Sequence, residues 1–299
     1  MAETGGKRAA PPLRATPSAR MLLAWLPVSP FFLYIALFLF LPTVWLIVDA
    51  FKDNTTGGFT TANVQAVKDN YLQDYWTSIE LSLVTALTGT FFGFFVAYAM
   101  VKEGAPRWLR PVLSTFAGVA ANAGGVPLAF SFAATLGTIG VVTAFLKDRG
   151  LDIYQAGFTM QSLTGLAIVY TYFQMPLMLL VISPALDGLR REWGEAATNL
   201  GATSSQYWLW VALPILWPAL LGAFVLLFGS AFAAYATATA LLGSGVHLVP
   251  IDIGLVVSGD FSSNPQLADA LALGMIVIIG AVMVAYALLQ RQSSKWSRR

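Results

Sequence analysis

Six times along its 299 residues this chain runs apolar for about twenty residues or more, the length at which a helix crosses a bilayer. The runs lie near 25–50, 77–101, 111–136, 161–183, 213–241 and 268–290. In lipid no water satisfies a backbone N–H or C=O, so a crossing segment of this kind must close its hydrogen bonds on itself as a helix. Composition agrees: 57% of the residues are hydrophobic and 11% are charged, against about 25% charged in a soluble domain. The predicted fold is an all-α membrane protein with six transmembrane helices over residues 21–290. A disordered tail at 1–20 and a basic tail at 291–299 flank it. The first run is too long for the apolar core of a secretory signal, about 7–15 residues, and is read as a retained span.

The third run is the least regular, with Asn122, Gly124, Gly125 and Pro127 at its middle. Small residues let helices approach closely in lipid, and a break needs protein or a water-filled path around it. This span is expected to face the bundle interior. Lys and Arg set the orientation, because they accumulate in cytoplasmic loops. With both termini cytoplasmic, 13 of the 17 basic residues lie inside, Arg190 and Arg191 among them, and Lys52, Lys68, Lys147 and Arg149 are left outside. Ten of the 15 acids then fall at or beyond the outer surface, including Asp49, Asp53, Asp74, Glu80 and Asp252, and the outer face is net −6.

Much chemistry is excluded by what is missing. Without cysteine there is no disulfide, thiol nucleophile or thiolate metal site. A lone histidine, His247, leaves most imidazole-based metal and acid–base schemes without partners, so no metal centre and no catalytic residue is expected. No G-x-x-x-x-G-K-[ST] occurs, so the chain has no phosphate-cradling loop for ATP. Gly243-Ser244-Gly245 lacks the strand–turn–helix setting of a nucleophile elbow. The basic residues sit where a membrane protein places them and carry no nucleic-acid signal.

Between the fourth and fifth spans, over 184–213, the apolar texture stops. Read as a helix from Leu186 to Leu200, the loop puts Leu186, Leu189, Trp193, Ala196, Ala197 and Leu200 on one stripe. Arg191, Glu192, Glu195, Thr198 and Asn199 fall opposite. Gly201 follows where a left-handed helix end favours glycine, and Thr203-Ser204-Ser205-Gln206 spells a capping box for a second short helix. Pro214 begins the return into the membrane. Interfacial helices usually carry Lys and Arg on their polar face. This one presents Glu192, Glu195 and Asn199, a face better suited to a protein partner.

Glu195-Ala196-Ala197, three residues, Gly201, nine residues, then Val211-Ala212-Leu213-Pro214 resembles the EAA motif of ABC importer permeases. Only Val211 departs from the usual isoleucine. The resemblance implies that Glu192–Gly201 is a coupling helix seated in a cytoplasmic ATPase dimer. Glu195 would contact the ATPase, Ala196 and Ala197 would allow close approach, and Gly201 would make the turn. It further implies a second permease subunit, an extracytoplasmic substrate-binding protein, and a place in the bacterial inner membrane; ATP would be bound by the partner, not by this chain. The stretches 123–137, 172–193 and 230–241 resemble the spermidine/putrescine branch, in which the second permease is a different chain.

Polar groups inside spans are functional candidates by default. Here they are Asn122 in the third span, Tyr170, Tyr172 and Gln174 in the fourth, and Ser230, Tyr235, Thr237 and Thr239 in the fifth. Tyr170, Tyr172, Gln174 and Tyr235 are expected to form an aromatic and amide cluster that holds an ammonium-bearing chain by cation–π contact. Together with the acidic outer face, this makes a polyamine the expected substrate; ferric ion, sulfate or thiosulfate, and phosphonate are the alternatives. An ion-coupled secondary transporter is the rival class, and the span centres lack the ionisable residue it usually needs.

Overall fold

The computed structural model of the chain describes residues 27–102, 106–243, 245–259 and 264–296. The expected tail at 1–20, Glu103, Ser244, Asp260 and residues 297–299 lie outside the described residues. Among the described residues the elements are helices, with one isolated bridge between Lys52 and Phe59. In order they are α1 (Ser29–Asp49), α2 (Ala62–Asn70), α3 (Leu72–Val101), α4 (Leu109–Asn122), α5 (Val126–Leu136) and α6 (Val141–Lys147). Then follow α7 (Leu163–Asp187), α8 (Arg191–Asn199), α9 (Ser204–Phe232), α10 (Ala236–Leu242), α11 (Val249–Ser258) and α12 (Pro265–Trp296). Among the described residues six segments are long and apolar enough to cross a membrane: α1, α3, α5 with α6, α7, α9 and α12.

By contacts α1 is a unit of its own, and Ala50 onward forms a second. Both α1 and α9 contain one wide π turn, at Ala36–Phe40 and Trp208–Ala212. Each is followed by Leu-Pro: Leu41 donates to the Ala36 carbonyl and Leu213 to the Trp208 carbonyl, with Pro42 and Pro214 next. A proline ring clashes with the carbonyl four residues back. Widening the preceding turn relieves that clash without ending the helix.

The second unit is built on α3 and α7. Ala86, Gly89, Gly93 and Ala97 form a buried stripe along α3. A Cβ added at Gly89 would lie 2.6 Å from Gln174 Cβ, and one at Gly93 would lie 2.6 Å from Met178 Cβ and 2.8 Å from the Met175 carbonyl oxygen. The two backbones therefore meet at a separation only glycine permits, as at small-xxx-small contacts in lipid. Beside them Gln174 is fully buried and its Nε2 donates to Thr85 Oγ1 at 3.0 Å. Across this pair lies α9, which buries Leu216, Leu220, Ala223 and Leu227. The Tyr75 hydroxyl donates to the Leu271 carbonyl and ties α3 to α12, while Arg110 on α4 pairs with Asp187 at the end of α7.

Several boundaries differ from those expected. The third run, 111–136, is two helices, α4 and α5, parted at Ala123–Gly125, and the membrane-length segment is Val126–Lys147. α4 stops at Asn122, Gly125 with φ +82° is the N-cap of α5, and Pro127 stands in the first turn of α5 where no hydrogen bond is lost. The fifth segment begins at Ser204 rather than 213, so the second short helix of the loop runs in line into the span. It ends at Phe232, leaving Tyr235 at a break before α10. Residues 291–296 continue α12. Helix α11 was not expected, because ten apolar residues fall short of a span. On it Asp252, read as a surface acid, is fully buried.

The α3–α7 contact gives a sharp test. Gly93→Leu should lower the detergent unfolding midpoint markedly, by about 1–3 kcal/mol of overpacking. Gly118→Ala on α4, where an added Cβ meets nothing within 4 Å, should leave it unchanged or raise it. Circular dichroism melts of both variants check the pair.

Candidate functional site

The loop between α7 and α9 is folded by local signals. Asp187 ends α7, and Arg190 is extended at φ −72°, ψ 134°. The helix expected over 186–200 is therefore interrupted, and α8 starts afresh at Arg191. This break shifts the phase of the predicted apolar stripe. Leu186 is buried on α7, whereas Ala196 and Leu200 are exposed on α8, Leu200 at 88%. What survives of the stripe beyond α7 is Leu189, Trp193 and Ala197, all half-buried, with the Arg190 guanidinium 5.9 Å above the Trp193 ring.

The stop after α8 carries two defining hydrogen bonds. Ala202 N donates to the Ala197 carbonyl at 3.0 Å and Gly201 N to the Thr198 carbonyl at 2.9 Å, with Gly201 at φ +80°. This is the paired closure of a Schellman end, which satisfies carbonyls the helix leaves orphaned. Two residues on, the Thr203 hydroxyl accepts from Gln206 N at 3.3 Å, and Gln206 Oε1 accepts from Thr203 N at 2.8 Å. The capping box is complete. With a helix stopped and another started inside five residues, the turn has little freedom. Gly194 on α8 faces Tyr207 on α9, and Trp208 meets Tyr98 of α3 edge to face at 4.6 Å.

Glu192, Glu195, Ala196 and Asn199 are exposed on α8. The result is a short helix with an acidic and small-residue outer face, a Leu at its tip, and a rigid turn into a membrane-length helix. Such a face suits a partner that supplies a cleft. Val211–Pro214 lies over the π turn, with Ala212 buried and Pro214 exposed.

The intramembrane candidates divide into two sets. Tyr170 and Gln174 are sealed among the chain's own helices: the Tyr170 hydroxyl donates to the Ala234 carbonyl at 2.7 Å, and Gln174 bonds Thr85. Tyr172, on another face of α7, is exposed and meets Phe132 edge to face at 5.2 Å. Tyr235 and Asn122 are exposed and Ser230 is half-buried. The four-residue cluster is thus not assembled as one pocket within the chain.

What the structure does bring together are two helix breaks. Gly125 N, at the N-cap of α5, donates to Thr237 Oγ1 on α10 at 3.0 Å, and the Ala234 carbonyl, freed after α9, accepts from Tyr170. Non-helical backbone at membrane depth is tolerated where protein or a water-filled cavity covers it. Thr237, one of the polar groups of the fifth span, is thus a structural partner; the signal for that role is a hydroxyl in a small-residue helix beside a glycine break.

No family model matches the chain. It is 24% identical over 227 residues to a probable sulfate transport system permease, cysT, of Prototheca wickerhamii, covering 75% of this chain and 84% of that protein. It is 26% identical over 220 residues to the spermidine/putrescine transport system permease PotB of Haemophilus influenzae, covering 72% of this chain and 74% of that one. In structure it resembles a chain of a bacterial ABC transporter involved in importing the polysaccharide alginate, with TM-score 0.72 at 16% identity over 91% of this chain and 96% of that chain. It also resembles a chain of the MetNI methionine ABC transporter, with TM-score 0.59 at 16% identity over 77% and 98%.

The turn itself can be tested. Gly201→Val forces a β-branched residue into a left-handed conformation although its Cβ would meet no atom within 4 Å, so its whole effect is backbone strain of about 1–2 kcal/mol. Hydrogen exchange over 196–206 should rise about tenfold for Gly201→Val and little for Ala202→Val. By its fold the chain matches permease chains of ABC transporters, and along some three quarters of its length its sequence is similar to permeases of sulfate and spermidine/putrescine transport systems.

Proposed function

We propose that the chain forms half of the translocation path of a binding-protein-dependent ABC importer in the bacterial cytoplasmic membrane, with both termini cytoplasmic. A separate ATPase dimer supplies the energy, a second and different permease supplies the other half of the path, and an extracytoplasmic protein delivers the solute. One observation carries the reading: α8, with Glu192, Glu195, Ala196 and Asn199 exposed, is locked by the Gly201 turn to a helix of membrane length. A cleft in the ATPase that closes on ATP would move α8, and α9 would move with it. Glu195→Lys should reduce solute uptake and substrate-stimulated ATPase activity more than tenfold, as for a docked charge that loses its partner. Insertion of the spans should be unaffected. Normal stimulation in that variant, measured in proteoliposomes, would remove α8 from the coupling path.

The path runs along the face that carries Asn122, Tyr172, Ser230 and Tyr235, beside the two helix breaks. Tyr170 holds the Ala234 break from behind, Thr237 holds the Gly125 break, and Gln174 ties α7 to Thr85 of α3. For the solute we favour a polyamine. Similarity to PotB supports it, as does 23% identity over 264 residues to PotC of Escherichia coli, another spermidine/putrescine permease. The acidic outer loops support it too: Asp53 Oδ1 accepts from the amides and hydroxyls of Thr55 and Thr56, which hold its carboxyl well below the usual carboxylate range and keep it charged. Such a face attracts cations and repels anions. The second reading is sulfate, favoured by the cysT relatives. Radiolabelled uptake in the reconstituted importer decides between them: spermidine is expected to be carried and to be competed by putrescine, whereas sulfate uptake indifferent to polyamines establishes the second reading.

A further inference from the structure

At the head of α3, away from the α8 turn, three side chains that sequence reading kept apart converge. Helix α11 docks there because Val249 N donates to Ser78 Oγ on α3 at 3.1 Å. This contact carries Asp252, one turn further along α11, to Asp74 near the start of α3. His247, just before α11, completes the group. One ligand-capable atom from each of Asp74, His247 and Asp252 lies within 4.8 Å of the others, and His247 Nδ1 is 3.1 Å from Asp252 Oδ1.

The second observation is independent of that clustering. The Asp252 side chain is 0% exposed, and its Oδ2 is buried without a hydrogen-bond partner. Among the described residues neither carboxylate is paired with Lys or Arg. A buried carboxylate oxygen facing a second carboxylate is costly unless a shared proton or a metal cation stands between them. The imidazole alone cannot fill that place, since Nδ1 already meets Oδ1. His247 has 55% of its side chain in solvent, so an ion has a way in.

We propose that Asp74, His247 and Asp252 form a binding site for a divalent transition-metal ion, with zinc as the best-fitting probe. One nitrogen and two carboxylate oxygens are a zinc-type donor set, whereas calcium and magnesium prefer oxygen alone. Ligand atoms about 2.0–2.2 Å from a tetrahedral ion are about 3.3–3.5 Å apart. The His247–Asp252 spacing of 3.1 Å is close to that, and the other separations, within 4.8 Å, would have to shorten by up to about 1.4 Å. Solvent on the His247 side would supply the fourth ligand. Bound there, the ion pins α11 onto α3. It is a resident of the fold and not the transported solute.

The full chain, purified in detergent without a polyhistidine tag and stripped with chelator, should bind about one zinc per chain in equilibrium dialysis. Zinc should raise its unfolding midpoint. His247→Ala, which alters the most exposed of the three, should weaken binding at least tenfold and abolish the thermal shift. Asp252→Asn should do the same where it folds. Asp53→Asn, an outer acid away from the cluster, should bind as the parent does. Binding absent from the parent, binding unchanged in His247→Ala, or calcium held as tightly as zinc would each overturn the proposal.

Discussion

Two helix backbones in contact, with glycine at Gly89 and Gly93 and nothing between, set the frame for the second unit. In lipid there is no hydrophobic drive to bring helices together, because acyl chains are as apolar as leucine. Close approach must then gain its energy from dispersion and from the few polar groups it encloses. Here α3 comes near enough to α7 for Thr85 to reach Gln174 in a dry interior, and α9 then lies across both. Tyr75, anchored to α12, and the Arg110–Asp187 pair fasten the two ends of the same assembly.

What could be read from the residues follows the range of the forces involved. Spans are legible because hydropathy sums over twenty neighbouring residues. The Gly201 turn and the Thr203–Gln206 box are legible because their bonds join residues three to five apart. The phase of α8 was not, since the break at Gly188–Arg190 shows only when the backbone is built. The stops at Ala123–Gly125 and Ala233–Tyr235 depend on partners far away in sequence, Thr237 and Tyr170, which absorb the freed backbone groups. The Gly89–Gly93 spacing was in plain view and marks the one tertiary contact that a local pattern announces.

Charge was the least legible quantity. Counting acids by loop placed Asp74 and Asp252 on a water-facing surface, because topology says on which side of a membrane a residue lies and nothing of its depth in protein. Asp252 sits on a helix too short for a hydropathy window to register, docked by buried Val249, Ile251 and Val256 and by a hydrogen bond to the Ser78 hydroxyl. The candidate path shares this difficulty. Tyr172, Tyr235 and Asn122 have polar groups on the outside of the chain, so whatever completes their surroundings is not written in this sequence.

Helix α9 has a consequence of scale. Its 29 residues, from Ser204 to Phe232, form one rod of about 43 Å at 1.5 Å per residue. Packed against its neighbours from Leu216 to Phe232, such a rod would act as a lever with its handle at the Thr203 cap and its tip beside the Ala234 break. A rotation of only about 5° would swing one end relative to the other by about 4 Å over that length. The π turn and Pro214 place the rod's most compliant stretch close to the handle. Angular motion delivered there is partly taken up as bending, so the gain at the tip depends on how stiffly Trp208 is wedged against Tyr98.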